Sequence, residues 1–385
     1  MQSAETVLDI LRERGRRGLP LDELYRQMFN PQLYLVAYGR LYSNKGALTP
    51  GPDAENADGM TLAKIGSLID ALRHERYQFK PVKRTYIPKK NGRRRPLGLP
   101  SWSDKLVAEV ARMLLEAYYE PQFSDCSHGF RPGRGCHTAL RQVAVAWTGT
   151  TWFIEGDISG CFDRLDRQVM LDALGEYIHD NRMLHLVSKM LAAGYLEDWV
   201  WNPTLSGVPQ GGVASPILSN IYLHRLDTFV EKVLLPENNR GVRRVHNPAY
   251  QKVQRELAEA RHRGDTATAR SLRRKLRSLP TQDPCDPGYR RLRYVRYADD
   301  TLLGFTGPKA EAEEIKRRLS QFLQDELKLE LNQEKTLITH ARSQRAQFLG
   351  YEIATQHTDR FLTNGRRSAN GVIGLKVPKA VIKAK

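Results

Sequence analysis

Two apolar strands and the bend between them decide the predicted fold, and they read RLRYVRYADDTLLGF over residues 291–305. The strands are predicted at 291–298 and 301–305, and Asp299-Asp300 occupies the bend. Adjacent carboxylates repel each other, and a purely structural hairpin turn more often contains Asn-Gly or Asp-Gly. Because a bound divalent cation would remove this repulsion, the bend indicates a metal site at one end of a sheet.

A second carboxylate, Asp157, ends another strand predicted at residues 151–158. If the strands are neighbours in one sheet, Asp157 and Asp299 can hold two Mg²⁺ ions roughly 4 Å apart, the geometry used for in-line displacement at phosphorus. Mg²⁺ suits such a site since it prefers oxygen ligands and bridges to substrate phosphates. Taken alone, an Asp-Asp bend is more often solvated than metal-bound, so this interpretation depends on the rest of the chain.

The charge of the chain indicates a polyanionic partner. Sixty Lys and Arg oppose 43 Asp and Glu, a formal net charge of +17, which predicts attraction to nucleic acid or an acidic membrane surface. The longest uncharged stretch, 199–224, contains three prolines and cannot cross a bilayer as one helix. At the N-terminus, Glu5, Asp9 and Arg12 interrupt any signal-peptide pattern. Four cysteines predict a reducing compartment. We expect a cytoplasmic nucleic-acid-binding protein and no membrane.

The positive charge is concentrated in residues 240–296, which contain 16 Lys and Arg but only five Asp and Glu. Two helical stretches are predicted there, hinged at Arg263-Gly264-Asp265. A solvated helical hairpin would explain the pattern. An RNA-contacting arm explains it better, because this block carries more than half of the net charge.

The remaining pattern predicts helices interleaved with strands, an α+β fold. Alternation around Asn91-Gly92 predicts a hairpin over residues 82–100, which carries seven Lys or Arg and no acid. Ser103 is predicted to cap a helix that ends before Pro121. Further helices are predicted at 4–42, 62–76, 164–191 and after Pro308, and a last short strand at 347–354.

Seven motifs occur in a fixed order, and their order makes the chain resemble the reverse transcriptases of group II introns from about Asp22 onward. The PQGG form and the basic insertion before the Asp-Asp bend are similar to group II proteins rather than to retrons or diversity-generating elements. In chain order the motifs are residues 87–98 (IPKKNGRRRPLG), 127–134 (SHGFRPGR), 156–163 (GDISGCFD), 207–223 (GVPQGGVASPILSNIYL), 296–300 (RYADD), 331–336 (LNQEKT) and 348–351 (FLGY).

The resemblance implies a right-hand polymerase with fingers and palm. We expect an N-terminal helical extension and the start of the fingers at 1–85, fingers at 86–150, and palm at 151–365. The palm region would include fingers helices at 164–205 and a basic helical insertion at 240–290. Residues 366–385 resemble the beginning of a thumb, called the X domain in maturases, and we expect the chain to be truncated there.

The resemblance also implies an activity, RNA-directed DNA polymerisation, in which nucleotides pass from dNTPs to a primer 3′-hydroxyl with two Mg²⁺ ions. Asp157 and Asp299 match the metal ligands, and the backbone carbonyl of Ile158 completes one shell. Asp300 matches a third catalytic carboxylate, for which a local hydrogen-bonding role is the alternative.

The implied partners are group II intron RNA, an RNA template with a DNA primer, and dNTPs. The implied cellular role is that of a maturase in splicing and retrohoming, in a bacterial cytoplasm and associated with the nucleoid or an RNA–protein particle. The alternative function is a catalytically idle RNA-binding splicing cofactor.

Three matched residues would bind the incoming nucleotide. Lys89 and Arg95 match the fingers residues that clamp the triphosphate, and a basic hairpin closing over three phosphates is a reasonable clamp. Phe162 matches the steric gate, whose flat ring leaves no room for a 2′-hydroxyl and so selects deoxynucleotides. An ordinary core phenylalanine is the alternative for Phe162.

Three further matches concern the template, the leaving group and the primer. Gln210 is expected under the template and the nascent base pair. Lys335 matches a lysine proposed to protonate pyrophosphate, and a salt bridge to a nearby acid is the alternative. Phe348, Leu349 and Gly350 match the strand that grips the primer end, although a plain core strand would look the same.

Overall fold

The computed structural model of the protein describes residues 2–44, 46, 49–53, 55–88, 92, 94–197, 200–202, 212–283, 285–332, 334–357, 362–363, 366–367 and 370–383. The chain forms two units. Unit 1 consists of Met1–Gly135, Ile158–Asp227 and Gln321–Glu330, and unit 2 of Cys136–Asp157, Thr228–Ser320 and Leu331–Lys385. The fingers, palm and thumb boundaries expected from the sequence stay predictions.

Helices and strands alternate along the chain, which confirms the α+β class. Among the described residues, no helix is both long and apolar enough to cross a membrane. The helices are α1 (Ala4–Arg16), α2 (Pro31–Tyr42), α3 (Leu62–Arg73), α4 (Trp102–Tyr119), α5 (Cys136–Ala146), α6 (Cys161–Arg164), α7 (Arg167–Gly175), α8 (Asn181–Ala192), α9 (Ser215–Phe229), α10 (Leu235–Glu237), α11 (Pro248–His262), α12 (Thr266–Ser278), α13 (Lys309–Leu327) and α14 (Lys379–Lys383).

The strands form four sheets in the described part of the chain, with strand orders β2-β1-β4-β5, β6-β7-β3-β8, β13-β10-β9 and β11-β12. They are β1 (Val82–Pro88), β2 (Arg94–Leu99), β3 (Trp152–Asp157), β4 (Tyr195–Glu197), β5 (Val200–Asn202), β6 (Arg291–Tyr297), β7 (Asp300–Thr306), β8 (Ile338–His340), β9 (Ala346–Phe348), β10 (Tyr351–Thr355), β11 (Leu362–Thr363), β12 (Arg366–Arg367) and β13 (Ile373–Lys376).

The β6-β7-β3-β8 sheet of unit 2 is antiparallel and buried. Its two longest strands have mostly buried residues, four of seven in β6 and six of seven in β7. Phe153, Val295 and Leu302 from three of the strands lie in one apolar core with Leu140 and Val143 of α5. This packing fixes the register of the strands, since a shift by one residue would turn each side chain to the opposite face.

The hairpin predicted at 82–100 is present in unit 1 as β1 and β2, with Pro88 opposite Arg94. Gly92 adopts a positive φ of 76°, as a tight turn requires, whereas Asn91 lies outside the described residues. β1 also pairs with β4 in parallel. The hairpin therefore belongs to a four-stranded sheet rather than standing alone.

Three predicted helix features are corrected by the structure. The region 4–42 is two helices, because Asn30 caps α2 and Pro31 occupies its first turn. The region 164–191 likewise divides where Asp180 caps α8. The cap of α4 is Ser101, whose Oγ accepts from the Asp104 backbone N–H, whereas Ser103 lies inside the helix.

The last predicted strand, 347–354, is also corrected, because it is a hairpin of β9 and β10. Phe348 pairs with Tyr351, and the two residues between them, Leu349 and Gly350, have φ values of 50° and 80°. Positive φ at both central residues is the type I′ pattern that joins antiparallel strands. The leucine hid this turn, since a bulky side chain seldom adopts such a conformation.

We predict that Gly15→Ala destabilises unit 1. Gly15 lies where α1 crosses α4, and a Cβ there would lie 2.0 Å from the backbone carbonyl oxygen of Tyr118. The helices must separate to admit a methyl group, and such overpacking costs roughly 1–3 kcal/mol. The measurement is the midpoint of urea unfolding followed by far-UV circular dichroism.

The matched control is Gly39→Ala in α2, where a Cβ would meet nothing within 4 Å. This substitution should raise the midpoint, because alanine favours a helix interior by roughly 0.5–1 kcal/mol over glycine. Midpoints that move equally in the two variants would show that α1 and α4 do not make this close approach.

Candidate active site

The three aspartates predicted to be catalytic lie at one end of the β6-β7-β3-β8 sheet. Asp157 is the last residue of β3 and the cross-strand partner of Asp300, the first residue of β7. Asp299 lies in the bend from β6 to β7, because Tyr297 at the end of β6 also pairs with Asp300. The register of three strands thus brings together carboxylates that are far apart in sequence.

The bend that carries Asp299 is a two-residue hairpin turn with an unusual backbone. Its first residue, Ala298, has a φ of 55°, which is uncommon for a residue other than glycine and costs energy. Arg296 is fully buried, and its Nη1 donates a hydrogen bond of 2.9 Å to the Ala298 carbonyl oxygen. Arg296 was not predicted as a site residue, although a cation inside an apolar strand beside the Asp-Asp bend was a usable signal.

A glycine lets β3 and β7 approach closely just before Asp157. A Cβ on Gly156 would lie 2.1 Å from the Thr301 hydroxyl. That hydroxyl instead donates a hydrogen bond of 3.1 Å to the Gly156 carbonyl oxygen. The absence of a side chain at Gly156 therefore helps to hold Asp157 opposite Asp300.

The three carboxylates interact electrostatically. Burial, followed by the negative charges of Asp299 and Asp157, raises the pKa of Asp300 to about 6, and the Lys335 ammonium partly opposes this change. Like charges gathered at a partly buried site disfavour ionisation of one another. Such an arrangement is typical of a site that receives a cation.

Lys335 forms an ion pair with Asp157 inside this site. Its Nζ lies 2.9 Å from Asp157 Oδ2, and the lysine side chain is 64% exposed. The Asp157 backbone carbonyl accepts a hydrogen bond from the Asn332 N–H, which positions the loop that leads to Lys335. The alternative of a salt bridge is therefore realised, and its partner is a predicted metal ligand.

The chemistry of the residues fits Mg²⁺. Carboxylate oxygens are hard ligands. Burial is the largest cause of the raised pKa of Asp300, and a divalent cation would neutralise the second cause, the negative charges of Asp299 and Asp157. Within the described ranges, no three Asp, Glu, His or Cys side chains enclose a metal ion by themselves. This is compatible with Mg²⁺, which is usually bound by one or two carboxylates together with waters and substrate phosphates.

Phe162, the predicted steric gate, lies in α6 of unit 1 and is half-buried. Its ring contacts that of Phe130 edge to face, with centroids 6.1 Å apart and an interplanar angle of 74°. The steric-gate role of Phe162 stays a prediction, and so does its alternative, an ordinary core phenylalanine. Phe130 was quoted only as part of a motif and was not singled out by the sequence.

The other predicted contacts are tested to different extents. Lys89 and Gln210 lie outside the described residues, and of Arg95 only the backbone is described, in β2 opposite Ile87. Ile158 is buried. Phe348 lies in the apolar core of unit 2 with Phe153 and Val295, and the half-buried Leu349 packs against that core. Within the predicted primer-gripping segment, Gly350 is exposed.

Comparison with known proteins identifies a family and several similar chains. Residues 87–353 match the family "Reverse transcriptase (RNA-dependent DNA polymerase)". The group II intron-encoded protein LtrA of Lactococcus lactis subsp. cremoris is 43% identical over 98% of this chain and 65% of its own length. YkfC of Escherichia coli K12 is 34% identical over 87% of this chain and 84% of its own length. This chain therefore spans slightly less than two thirds of the length of LtrA.

A solved structure of apo telomerase from Candida tropicalis, truncated from its C-terminal domain, has a TM-score of 0.46 at 14% identity. It covers 86% of this chain and 63% of that one, and so weak a likeness adds nothing to the argument. The family match, in contrast, includes all seven motifs and the whole β6-β7-β3-β8 sheet. The chain belongs to the reverse transcriptase family, in the branch of proteins encoded by group II introns.

Proposed function

We propose that the protein is an RNA-directed DNA polymerase of a group II intron, which extends a DNA primer on an RNA template with two Mg²⁺ ions. The observation that carries the proposal is the β3–β7 register, which pairs Asp157 with Asp300 beside Asp299. Asp157 and Asp299 would hold the metal ions, and the Ile158 backbone carbonyl would complete one shell. Membership of the family supports this reaction class.

The residues of the chain prepare the site for nucleotide transfer. Bound Mg²⁺ would lower the pKa of the primer 3′-hydroxyl and neutralise charge on the leaving diphosphate. The sheet holds the carboxylates in place beforehand, so little reorganisation is needed during the reaction. The exposed Lys335 side chain can turn from Asp157 toward the departing diphosphate and donate a proton to it.

The proposed substrates are dNTPs. The half-buried Phe162 ring would exclude a 2′-hydroxyl. Lys89 and Arg95 are proposed to contact the triphosphate, and Gln210 the template, on the basis of the motifs alone. The Leu349-Gly350 turn next to Phe348 is the proposed contact with the primer end.

The proposed RNA partner is the intron itself, with a maturase role in splicing and retrohoming. The net charge of +17 supports RNA binding, and the relatives' names connect them to introns. An RNA-binding splicing cofactor with an idle polymerase site is the second candidate, favoured by the charge concentrated in residues 240–296. Either protein would act in the bacterial cytoplasm within an RNA–protein particle.

We predict that Asp299→Asn and Asp157→Asn each lower primer extension on an RNA template with Mg²⁺ by at least about 10³-fold. Each change removes a charged metal ligand, which is worth several kcal/mol in the transition state, and 1.36 kcal/mol corresponds to tenfold in rate. The measurement is the single-turnover rate of dNTP addition to a short labelled primer.

The matched control is Asp325→Asn, a change of the same kind at an exposed position of α13, which should leave the rate within twofold. Extension that persists in both active-site variants would refute the proposed chemistry. Failure of the wild type to extend, together with tight and salt-sensitive intron binding, would favour the splicing cofactor instead.

We predict that Asp300→Asn stabilises the metal-free protein at alkaline pH. The pKa of Asp300 in the folded protein is about 6 and exceeds that of an unfolded aspartate, about 3.9. The folded state therefore keeps a proton that the unfolded state has lost, and the free energy of unfolding falls as the pH rises from about 4 to 6. Asparagine cannot ionise, so Asp300→Asn should avoid this fall in the free energy of unfolding, which amounts to up to about 3 kcal/mol at pH 8.

The measurement is the unfolding temperature in EDTA at pH 4 and pH 8, repeated with Mg²⁺ at pH 8. The advantage of the variant should vanish at pH 4, and Mg²⁺ should raise the unfolding temperature of the wild type more than that of Asp299→Asn. Identical pH profiles for wild type and Asp300→Asn would contradict the proposed carboxylate repulsion.

A further inference from the structure

Residues 248–278 form an antiparallel helical hairpin in unit 2, here called the basic arm, in which α11 and α12 pack together. The predicted hinge is present, with Gly264 at a φ of 72° and Asp265 capping α12 through the Thr268 N–H. The two helices differ in charge. α11 contains two glutamates, whereas α12 contains five cations and no acid.

The apolar side of α12 is already used within the arm. Val253, Leu257 and Ala260 of α11 are buried, and no residue of α12 is. The half-buried residues of α12 are Ala269, Leu272 and Leu276, spaced three and four apart on one face of the helix. This face packs on α11, so the opposite face of α12 is left to solvent.

The exposed surface of α12 carries an arginine stripe, defined as Arg270, Arg273, Arg274 and Arg277. Their spacing of i, i+3, i+4 and i+7 puts them on one side of the helix with Cβ atoms about 5–6 Å apart between neighbours. All four are exposed. None pairs with a carboxylate anywhere in the part of the chain that the structure describes, although arginines elsewhere do.

Like charges at this spacing weaken an isolated helix. Burial does not offset the cost, because all four arginine side chains are exposed. A phosphate backbone would remove the repulsion and release counterions, and arginine forks match phosphate oxygens. An acidic membrane fits less well, since interfacial helices insert an exposed apolar face and that of α12 is covered by α11.

We propose that the arginine stripe is a binding site for the phosphate backbone of double-helical RNA, separate from the residues of the carboxylate site. It would read charge and not sequence, because no exposed Asn, Gln or aromatic side chain lies in α12 to contact bases. The site deepens the proposed RNA-binding role and rests on it. It is independent of the proposed polymerase chemistry.

The test uses the full chain and an RNA duplex of about 30 base pairs, with affinity measured at several salt concentrations. The stripe variant is R270Q/R273Q/R274Q/R277Q. The control variant, K252Q/R255Q/R261Q/R263Q, removes the same charge from other exposed positions of the arm. If each stripe arginine meets one phosphate, the log–log salt slope should fall by about 3 in the stripe variant and by less than 1 in the control.

Equal slopes in the two variants would overturn the site, because a diffuse charge effect does not distinguish them. Equal loss of binding to anionic phosphatidylserine vesicles and to RNA in the stripe variant would also overturn it in favour of a general anionic surface. Extension of a short primer–template at saturating concentration should stay unchanged. If the wild type extends no primer while the stripe result holds, the polymerase proposal fails and this one stands.

A second, independent observation concerns Phe130 of unit 1. This side chain is 51% exposed, and its φ of 58° is rare for a bulky residue. The adjoining backbone is held on both sides. Asn220 Nδ2 donates to the Gly129 carbonyl oxygen at 2.8 Å, and the buried Arg131 donates to the Ser124 and Ser127 carbonyl oxygens.

The backbone of the loop is therefore strained at Phe130. In this conformation the half-exposed Phe130 ring contacts the ring of Phe162. Phe162 lies in the four-residue helix α6, and its side chain is half-buried. We infer that Phe130 is a positioning residue that keeps the Phe162 ring in the orientation that excludes a 2′-hydroxyl. This inference rests on the proposed steric gate.

The test is the ratio of kcat/KM for a dNTP to that for the matching rNTP. Phe162→Ala should lower the ratio by about 10²-fold or more, and Phe130→Ala by about tenfold, which is 1.4 kcal/mol. The double variant should match Phe162→Ala, because both act through one ring. Phe130→Tyr should restore the ratio, and dNTP turnover should change little in the two Phe130 single variants.

If Phe162→Ala leaves the dNTP-to-rNTP ratio of kcat/KM unchanged, the proposed steric gate is wrong. A changed ratio in Phe162→Ala but not in Phe130→Ala would sink only the positioning role. Additive losses in the double variant would also contradict it, since they would mean that Phe130 acts by another route. The unfolding temperature of Phe130→Ala should stay near that of the wild type, since the ring is half exposed.

Discussion

The antiparallel register between β3 and β7 is the constraint on which the candidate site depends. It places Asp157 opposite Asp300, and a shift by one residue would turn one of these side chains to the other face. Gly156 permits the close approach of the strands, and the apolar core with α5 holds the register. Burial and like charges then act against folding, as the raised pKa of Asp300 indicates.

Two regions of unit 2 concentrate charge of opposite sign. The carboxylate site gathers negative charge that a cation would relieve, and Lys335 relieves part of it through its pair with Asp157. The arginine stripe of α12 gathers positive charge that a polyanion would relieve. In both regions, apolar residues nearby hold the fold together. The charged side chains therefore contribute little to stability and are available for binding.

Local signals in the sequence were reliable where one residue decides the backbone. The hinge at Gly264, the hairpin of β1 and β2, and the strands on either side of Asp299 were all predicted. The errors arose where two signals compete within a few residues. Ser101 and Ser103 can both cap α4, and the structure uses Ser101, whereas Ser103 donates hydrogen bonds to Glu55. Leu349 hid a turn because leucine rarely adopts a positive φ.

The sequence by itself determined the class of fold, the family and the identity of the three aspartates, because apolar period, turn residues and motif order are local properties of the chain. Only the tertiary structure decided which groups meet. The pairing of Asp157 with Asp300, the pair of Lys335 with Asp157, the clamp of Arg296 on the bend and the contact of Phe130 with Phe162 all join separate segments or depend on burial. Strand register and packing fix such contacts, and no local pattern encodes them.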